Sequence, residues 1–386
     1  MKQFESGHKS NLLNYIHFVS LLSFLSIIVL LVMGQLVTSF RAGMADPVWP
    51  TEPWYLYGHF RLDFGYLIEH VHRIAGFVTG VLVLILSLMV LITELRPVVR
   101  WVGLLAVVVL LIGYSNFHRG LIAQRGVTPA EVVLPIDAIL LSIFGLFVLT
   151  LVTVSGIIQR NRHSILRLVS IVILVAIMIQ GLLGGFRVML NELQGTNLAT
   201  LHGIFAHVIV GLFATLVVLT HPRFTHFCSL HRHLSHPASS HILISVFCVI
   251  ILYFQIALGA IIRHDPGPIA QRLHFLSAFL VSIAITWLLF EIKRLHDHSL
   301  LLGRLPNILT MLLICQIILG IEAWMEKFGA HTIPELVPVT KWNAMIRTLH
   351  ALVGGGMVAI AVMIAVWLSA PVYTHYCNCD QAEVQK

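Results

Sequence analysis

Residues 165–187 read ILRLVSIVILVAIMIQGLLGGFR and residues 200–220 read TLHGIFAHVIVGLFATLVVLT. Each is an apolar run long enough to cross a bilayer, which takes about 20 largely apolar residues in helical form. The first closes on Gln180-Gly-Leu-Leu-Gly184, and the second opens with His202-Gly-Ile-Phe-Ala206. This couple of runs is a template for most of the chain. Q-x-x-L-G returns as Gln255-Ile-Ala-Leu-Gly259 and Gln316-Ile-Ile-Leu-Gly320, and the first run ends more loosely in Leu31-Val32-Met33-Gly34. H-x-x-x-(G/A) returns as His72-Arg-Ile-Ala-Gly76, His274-Phe-Leu-Ser-Ala278 and His350-Ala-Leu-Val-Gly354.

Working outward, the sequence shows ten such runs, at 12–38, 66–94, 101–117, 134–158, 165–187, 200–220, 241–262, 273–292, 305–324 and 348–370. The whole chain agrees: of 386 residues, 58% are hydrophobic and 11% charged, against about 25% charged in an ordinary soluble domain. Mean hydropathy is +0.91. A water-soluble enzyme, a disordered chain, a collagen and a nucleic-acid-binding domain are excluded. The fold class expected is an all-α polytopic membrane protein of about ten transmembrane helices, built as two pseudo-symmetric four-helix bundles plus an extra helical hairpin. Its parts are an N-terminal half at 12–220 with the hairpin 101–158 inserted, a His-rich cytoplasmic linker at 221–240, a C-terminal half at 241–370 and a cytoplasmic tail at 371–386.

An even number of spans places both termini on one side. With the N-terminus inside, Lys and Arg divide thirteen to ten in favour of the inside, and Arg73 lies within a span. The net charge of +7 then reflects basic inner loops, as the positive-inside rule expects. Both termini are expected in the cytoplasm. The first run is long for a signal peptide, lacks a small-residue cleavage site, and no transit peptide is visible, so a bacterial inner (cell) membrane is expected.

The 22 histidines nearly equal the 24 Lys and Arg, and ionisable residues at membrane depth are functional candidates by default. His72, His202, His274 and His350 occupy one repeat position, each with a small residue at i+4 on the same helical face. A flat macrocycle bound at the imidazole needs such space. Two histidines per half can clamp one haem iron axially, as in bis-His b-type sites. Desolvating imidazole must be compensated at each of four equivalent places, which disfavours a chance interfacial histidine. The hairpin carries Asp137 where a histidine would stand, so it is expected to be dispensable for cofactor binding.

Glu69 shares a helical face with His72 and Arg73, and no other repeat has an acid there. It is read either as an ion-pair partner of Arg73 or as an acid placed to move protons or orient a substrate. His70 lies about 100° round the helix and is expected to face headgroups or a loop. His207, five residues after His202, reads as a satisfied bundle-core histidine. Arg41, Arg187 and Arg263 stand just past span ends, as candidate partners for haem carboxylates or as snorkelling side chains. Arg263-His264 and His118-Arg119 are similar in type. The linker histidines His221, His226, His231, His233, His236 and His241, with Cys228, read as a solvated segment before a metal site. The five cysteines form no disulfide framework, and Cys377-Asn-Cys379 has the wrong spacing for a redox pair. No nucleotide-binding, zinc-protease or covalent haem-attachment motif is present.

Glu69-His-Val-His72-Arg73 resembles the E-x-x-H-R signature of haem A synthases. Gly43-Met-Ala-Asp-Pro-Val-Trp49-Pro50 resembles their first outer loop, and 180–188 with 201–206 resembles their third and fourth helices. Gly259-Ala-Ile-Ile-Arg263-His264 resembles the start of their second half. The resemblance covers nearly the whole chain except the hairpin. It implies an eight-helix, pseudo-twofold membrane enzyme of porphyrin biosynthesis and cytochrome oxidase assembly. Such an enzyme oxidises a methyl group of haem O to a formyl group, giving haem A. It also implies a resident haem b in one half and the substrate haem in the other. The iron ligands fall on His72, His202, His274 and His350, and the catalytic pair on Glu69 and His72; Arg73, Arg187 and Arg263 are read as further cofactor-binding residues. The chain departs from the family in its extra hairpin, in His70, and in lacking the cysteine pair some members carry in the first outer loop.

The function expected is therefore a haem-dependent oxidoreductase acting on haem O. The partners expected are haem O, haem O synthase, an unidentified electron donor or acceptor, membrane lipid, another copy of the chain, and no nucleic acid. Two other readings stand beside it: a bis-His dihaem cytochrome b that carries electrons, and a haem carrier or assembly factor without turnover.

Overall fold

The structure, a computed structural model, describes residues 2–49, 51, 53–124, 127–128, 131–159, 163–224, 239–265, 267–294, 300–328 and 340–370. These residues form helices and connections with no strand among them, and ten helices are long and apolar enough to cross a membrane. In chain order they are α1 (Lys2–Ser39), the short α2 (Pro53–Gly58), α3 (Phe64–Ile92), α4 (Pro97–Ile122), α5 (Ile136–Ile158) and α6 (Ser164–Met189). There follow α7 (Asn191–Thr220), α8 (Ser239–His264), α9 (Pro268–Arg294), α10 (Leu300–Phe328) and α11 (Lys341–Leu368). The protein is an all-α, multi-pass membrane protein.

Several helices begin before their apolar runs. α11 starts at Lys341, seven residues ahead of the expected 348, because the Thr340 hydroxyl caps it by accepting from the Asn343 N–H at 3.1 Å. Asp63 caps α3 through the Tyr66 N–H at 3.0 Å. Hydropathy detects only the apolar part of such a helix. The histidines therefore do not open their helices. They stand six (His274) to eleven (His202) residues inside them, roughly 9–16 Å along the axis.

Packing divides the spans as the repeats do. α1, α3, α6 and α7 form one bundle and α8, α9, α10 and α11 the other; α1 pairs with α3 as α8 pairs with α9, and α6 with α7 as α10 with α11. The halves meet along α1, α7, α8 and α11. Ile209, Phe213 and Ala214 of α7 and Ala361 and Ile364 of α11 are fully buried in that seam. Small residues bring the backbones together there, as they do between membrane helices generally. A Cβ on Gly355 would stand 3.2 Å from Leu31 and 3.3 Å from His207. Arg263 ties α8 to α1 by donating to the Gln35 side chain, the Gln35 carbonyl and Ser39, and Ser39 meets Thr348 of α11 at 2.8 Å.

The hairpin α4–α5 is tightly paired. A Cβ on Gly145 would lie 2.8 Å from the Leu110 backbone, and one on Gly113 would lie 2.7 Å from the Ser142 backbone. The hairpin is also fastened to the first bundle at both ends. At one end Glu94 pairs with buried Arg167 of α6 at 2.7 Å and with Arg96 at 3.0 Å, while Arg96 donates to Gln159 at 2.5 Å. At the other, Trp49 of the first connection lies edge-on to His118 of α4, ring centroids 5.6 Å apart, and against Phe186 of α6. The Tyr114 hydroxyl also reaches the Met178 carbonyl.

Candidate functional site

The four repeated histidines come together as two pairs, one in each bundle. The rings of His72 on α3 and His202 on α7 have centroids 6.4 Å apart at 78°. Those of His274 on α9 and His350 on α11 are likewise 6.4 Å apart, at 72°. Two imidazoles reaching one metal at about 2 Å each would have centroids about 6 Å apart.

Each ring rests on the glycine that ends the preceding repeat motif. A Cβ on Gly34, Gly184, Gly259 or Gly320 would stand 3.0, 3.1, 3.2 or 3.0 Å from Cε1 of His72, His202, His274 or His350. This is where the glycine of Q-x-x-L-G is needed: any side chain would push the imidazole off the helix behind it. The small residue at i+4, by contrast, faces the same preceding helix. A Cβ on Gly354 would meet the Gln316 amide at 3.2 Å, and one on Gly76 would meet Leu30 at 3.8 Å.

In all four rings Nδ1 is buried without a hydrogen-bond partner. Leaving a buried polar atom unmet costs about 1–3 kcal/mol, so a fourfold occurrence at one repeat position singles these four histidines out as candidate ligands. Among the described residues no group of three or more His, Cys, Asp or Glu side chains is placed to hold a metal ion. Paired ligands facing each other suit a metal whose other ligands come from a macrocycle, and haem is such a group.

The surroundings of the first pair are polar. Glu69 is buried and both its oxygens are engaged: Arg73 donates to one at 2.9 Å and the Asp46 N–H to the other at 2.8 Å. The guanidinium of Arg73 also donates to the carbonyls of Asp46 and Val48 and lies 3.3 Å from the Asp46 carboxylate. Of the two surroundings expected for His70, headgroups or a loop, it meets the loop. It is fully buried, with Nδ1 3.3 Å from Asp46, Nε2 2.5 Å from the Leu56 carbonyl, and its ring stacked on Tyr66. Asp46, Glu69, His70 and Arg73 thus knit the first connection, residues 40–63, to α3. The sequence showed the resemblance of this loop but not that Asp46 is the residue on which the other three converge.

The arginines separate into two kinds. Arg73 and Arg263 spend their donors on the protein. Arg187, half-buried beside Gly43, makes no hydrogen bond or ion pair with any described residue. A Cβ on Gly43 would collide with its guanidinium. Arg347 was overlooked in the sequence. It stands three residues before His350, as Glu69 stands before His72, and its buried Nε has no partner. Arg41 ends α1 in the left-handed region, φ 55°, where the Ala42 N–H bonds the Val37 carbonyl and the Arg41 N–H that of Thr38, a Schellman closure.

His207 is the satisfied core histidine expected: it is buried and its Nδ1 is 2.8 Å from the Gly203 carbonyl. At the opposite ends of the bundle His17 bonds Thr220 at 2.9 Å and lies edge-on to His221. Cys248 is buried and directs its thiol to the Ala284 carbonyl. His226, His231, His233, His236, Cys228, Cys377 and Cys379 lie outside the described residues.

The architecture and the two histidine pairs define a multi-pass membrane protein of two like bundles, each with one pair of facing histidines. No protein-family profile, no curated protein and no solved structure matches the chain.

Proposed function

We propose that the protein is a haem A synthase, oxidising a methyl group of haem O to a formyl group in the first bundle while the second holds a resident haem b. The observation that carries the reading is asymmetry around equivalent pairs. Both halves present two facing imidazoles, and only the first sets a buried carboxylate one turn before a ligand. At the position of Glu69 the second half has Gln271, and at that of Arg73 it has Phe275.

In this reading His72 and His202 hold the substrate iron, His274 and His350 the resident one, and bound haem supplies the redox chemistry. Arg187, with Glu69 as its charged neighbour, is the candidate cation of the first site for a haem carboxylate, and Arg347, with Glu326 as its own, that of the second. This replaces Arg73 and Arg263, whose donors are occupied. Oxidising a methyl group releases protons. Two carboxylates, Glu69 and Asp46, held by the donors Arg73 and His70, supply proton acceptors between the ligand helix and the first connection. The connection itself, pinned by Trp49 in the space left by Gly185, closes that end of the first bundle. The charge bias of the loops supports a reading with this end outside a bacterial cell membrane and both termini inside.

The dihaem electron-carrier reading keeps one specific support: both oxygens of Glu69 already have partners, as a purely structural ion pair would. The test is co-expression with a source of haem O, followed by acid extraction of the pigment. Haem A in the extract, lost in Glu69→Ala while a low-spin haem remains, supports the synthase. Unmodified haem alone identifies a carrier.

A further inference from the structure

The side walls of the two bundles differ. In the first, α3 and α6 pack against each other, and the Ser87 hydroxyl donates to the Ser170 carbonyl at 3.1 Å. The hairpin then crosses the outside of that seam. At the end far from the histidines, Gly103 of α4 lies against Leu91 of α3. Nearer the histidines, Tyr114 of α4 reaches the Met178 carbonyl of α6, and Phe117 lies edge-on to Phe186. In the second bundle the matching helices, α9 and α10, stand apart, and no other described helix packs over them. Of the most apolar stretch of α10, 6% is buried, against 44% for its counterpart α6.

An aromatic pair bridges the gap at its histidine end. Phe275 of α9 meets Trp324 of α10 edge-on, ring centroids 5.8 Å apart. Phe275 follows His274 in the chain, and Trp324 stands one turn past Gly320, the glycine on which the His350 ring rests. The gap therefore opens onto both ligands of the second pair. Deeper on the same two helical stripes stand Phe279, four residues on, and Ile317, seven residues back; they are 69% and 46% exposed. At the position of Ile317 the first half has Gly181. There the Tyr114 hydroxyl of the hairpin lies, 3.1 Å from where a Cβ would stand. The seam left open in one half is covered at the same register in the other.

We propose that the gap between α9 and α10 is a lateral doorway by which haem passes between the bilayer and the His274–His350 site. Phe275 and Trp324 latch it, and the hairpin α4–α5 is a shutter over the matching seam of the first bundle. The proposal rests on the haem reading of the two pairs and adds the route. An iron tetrapyrrole is a flat, largely apolar plate with carboxylates along one edge, so it sits in a membrane as other amphipathic groups do, its plate among the acyl chains and its charges at the surface. A slot walled by Phe279 and Ile317 admits the plate, and Arg347, whose buried Nε is unmet, stands near the histidine end for the charged edge. An edge-on ring pair is a weak contact that can part and re-form. The hairpin thereby has a task that needs no ligand of its own.

Transfer between vesicles tests this. Phosphatidylcholine vesicles carrying iron protoporphyrin are mixed with the full-length apoprotein in vesicles of the same lipid. His202→Ala isolates the second site and His350→Ala the first, each read by its low-spin spectrum. The second site should fill with a fast phase that the first lacks. Phe275→Cys with Trp324→Cys, in a chain whose five native cysteines are replaced by serine, should lose that phase when a short thiosulfonate bridges the thiols and regain it on reduction. Phe275→Ala, which needs no bridge, should quicken both filling and loss to apomyoglobin. Tyr114→Ala should give the first site a fast phase and leave the second as it was. Equal filling of the two sites in the parent, a bridged form that fills as fast as the open one, or parental rates in Phe275→Ala overturns the proposal. Uptake from detergent solution but not from vesicles also overturns it. A chain that takes up no iron protoporphyrin from either source overturns instead the haem reading beneath it.

Discussion

The two bundles present their histidine pairs at the same centroid separation, yet the approach to each pair is built differently. In the first, the 40–63 connection carries α2 and folds back through Asp46 onto Glu69, His70 and Arg73. In the second, α8 and α9 are separated by residues 265–267 alone, too short to cover anything. In the first, α3 packs against α6; in the second, α9 and α10 stand further apart. The hairpin α4–α5 braces the first bundle and has no counterpart on the second. A repeated scaffold has kept its ligand positions and diverged in what surrounds them.

The largest expected effects break the halves apart. His202→Ala and His350→Ala should each abolish the low-spin signal of its own bundle and halve the haem per chain, read by electron paramagnetic resonance and pigment assay. One substitution that erases both signals would show that the bundles do not bind independently.

Next is the acid. Glu69→Ala removes one of the two carboxylates beside Arg73 and leaves the Asp46 N–H unmet, which costs about 1–3 kcal/mol. Gln271→Ala, at the matching position of the second half, should cost about 1 kcal/mol or less. Thermal unfolding of the two variants in the same detergent gives the difference; equal losses would remove the asymmetry from the argument.

Gly185→Ala is no larger and is confined to the first bundle. The new methyl collides with the indole of Trp49, and overpacking of this kind costs about 1–3 kcal/mol. Trp49 should become more accessible to a soluble fluorescence quencher while the second-half haem spectrum is unchanged.

The smallest effect appears only in acid. Burial alone would raise the carboxyl of Glu94, but hydrogen bonds from Arg96 and the charge of Arg167 outweigh it and hold it below the usual range. Its folded pKa is therefore lower than its unfolded one. The stability it contributes is complete above the unfolded value of about 4.3 and fades as pH falls through the lower folded value. Hydrogen exchange in α4–α5 should accelerate in that acid window and not at neutral pH, with the second bundle unaffected. Glu94→Gln should abolish the acid response.

Much of this was legible in the residues. Ten spans follow from apolar run length, and the twofold plan from the recurrence of Q-x-x-L-G and H-x-x-x-(G/A), because both are local patterns read along one helix. For His70 the residues left headgroups or a loop open for the same reason: its helical angle is set by α3, but its surroundings are set by a loop that returns to it from residue 46. The glutamines were visible as a motif without a role, since nothing in one helix says which ring of the next it will touch.

What the sequence by itself determined was the number of membrane crossings, the helical class and the four candidate ligands at one repeat position. Desolvation in a bilayer demands apolar runs, and helical periodicity fixes which residues share a face. Only the tertiary structure decided that His72 meets His202 and His274 meets His350, and that both oxygens of Glu69 are taken. Those are relations between helices distant in the chain. They are settled by how close two backbones can come, and it is the glycines at 34, 184, 259 and 320 that let each imidazole lie against its neighbour.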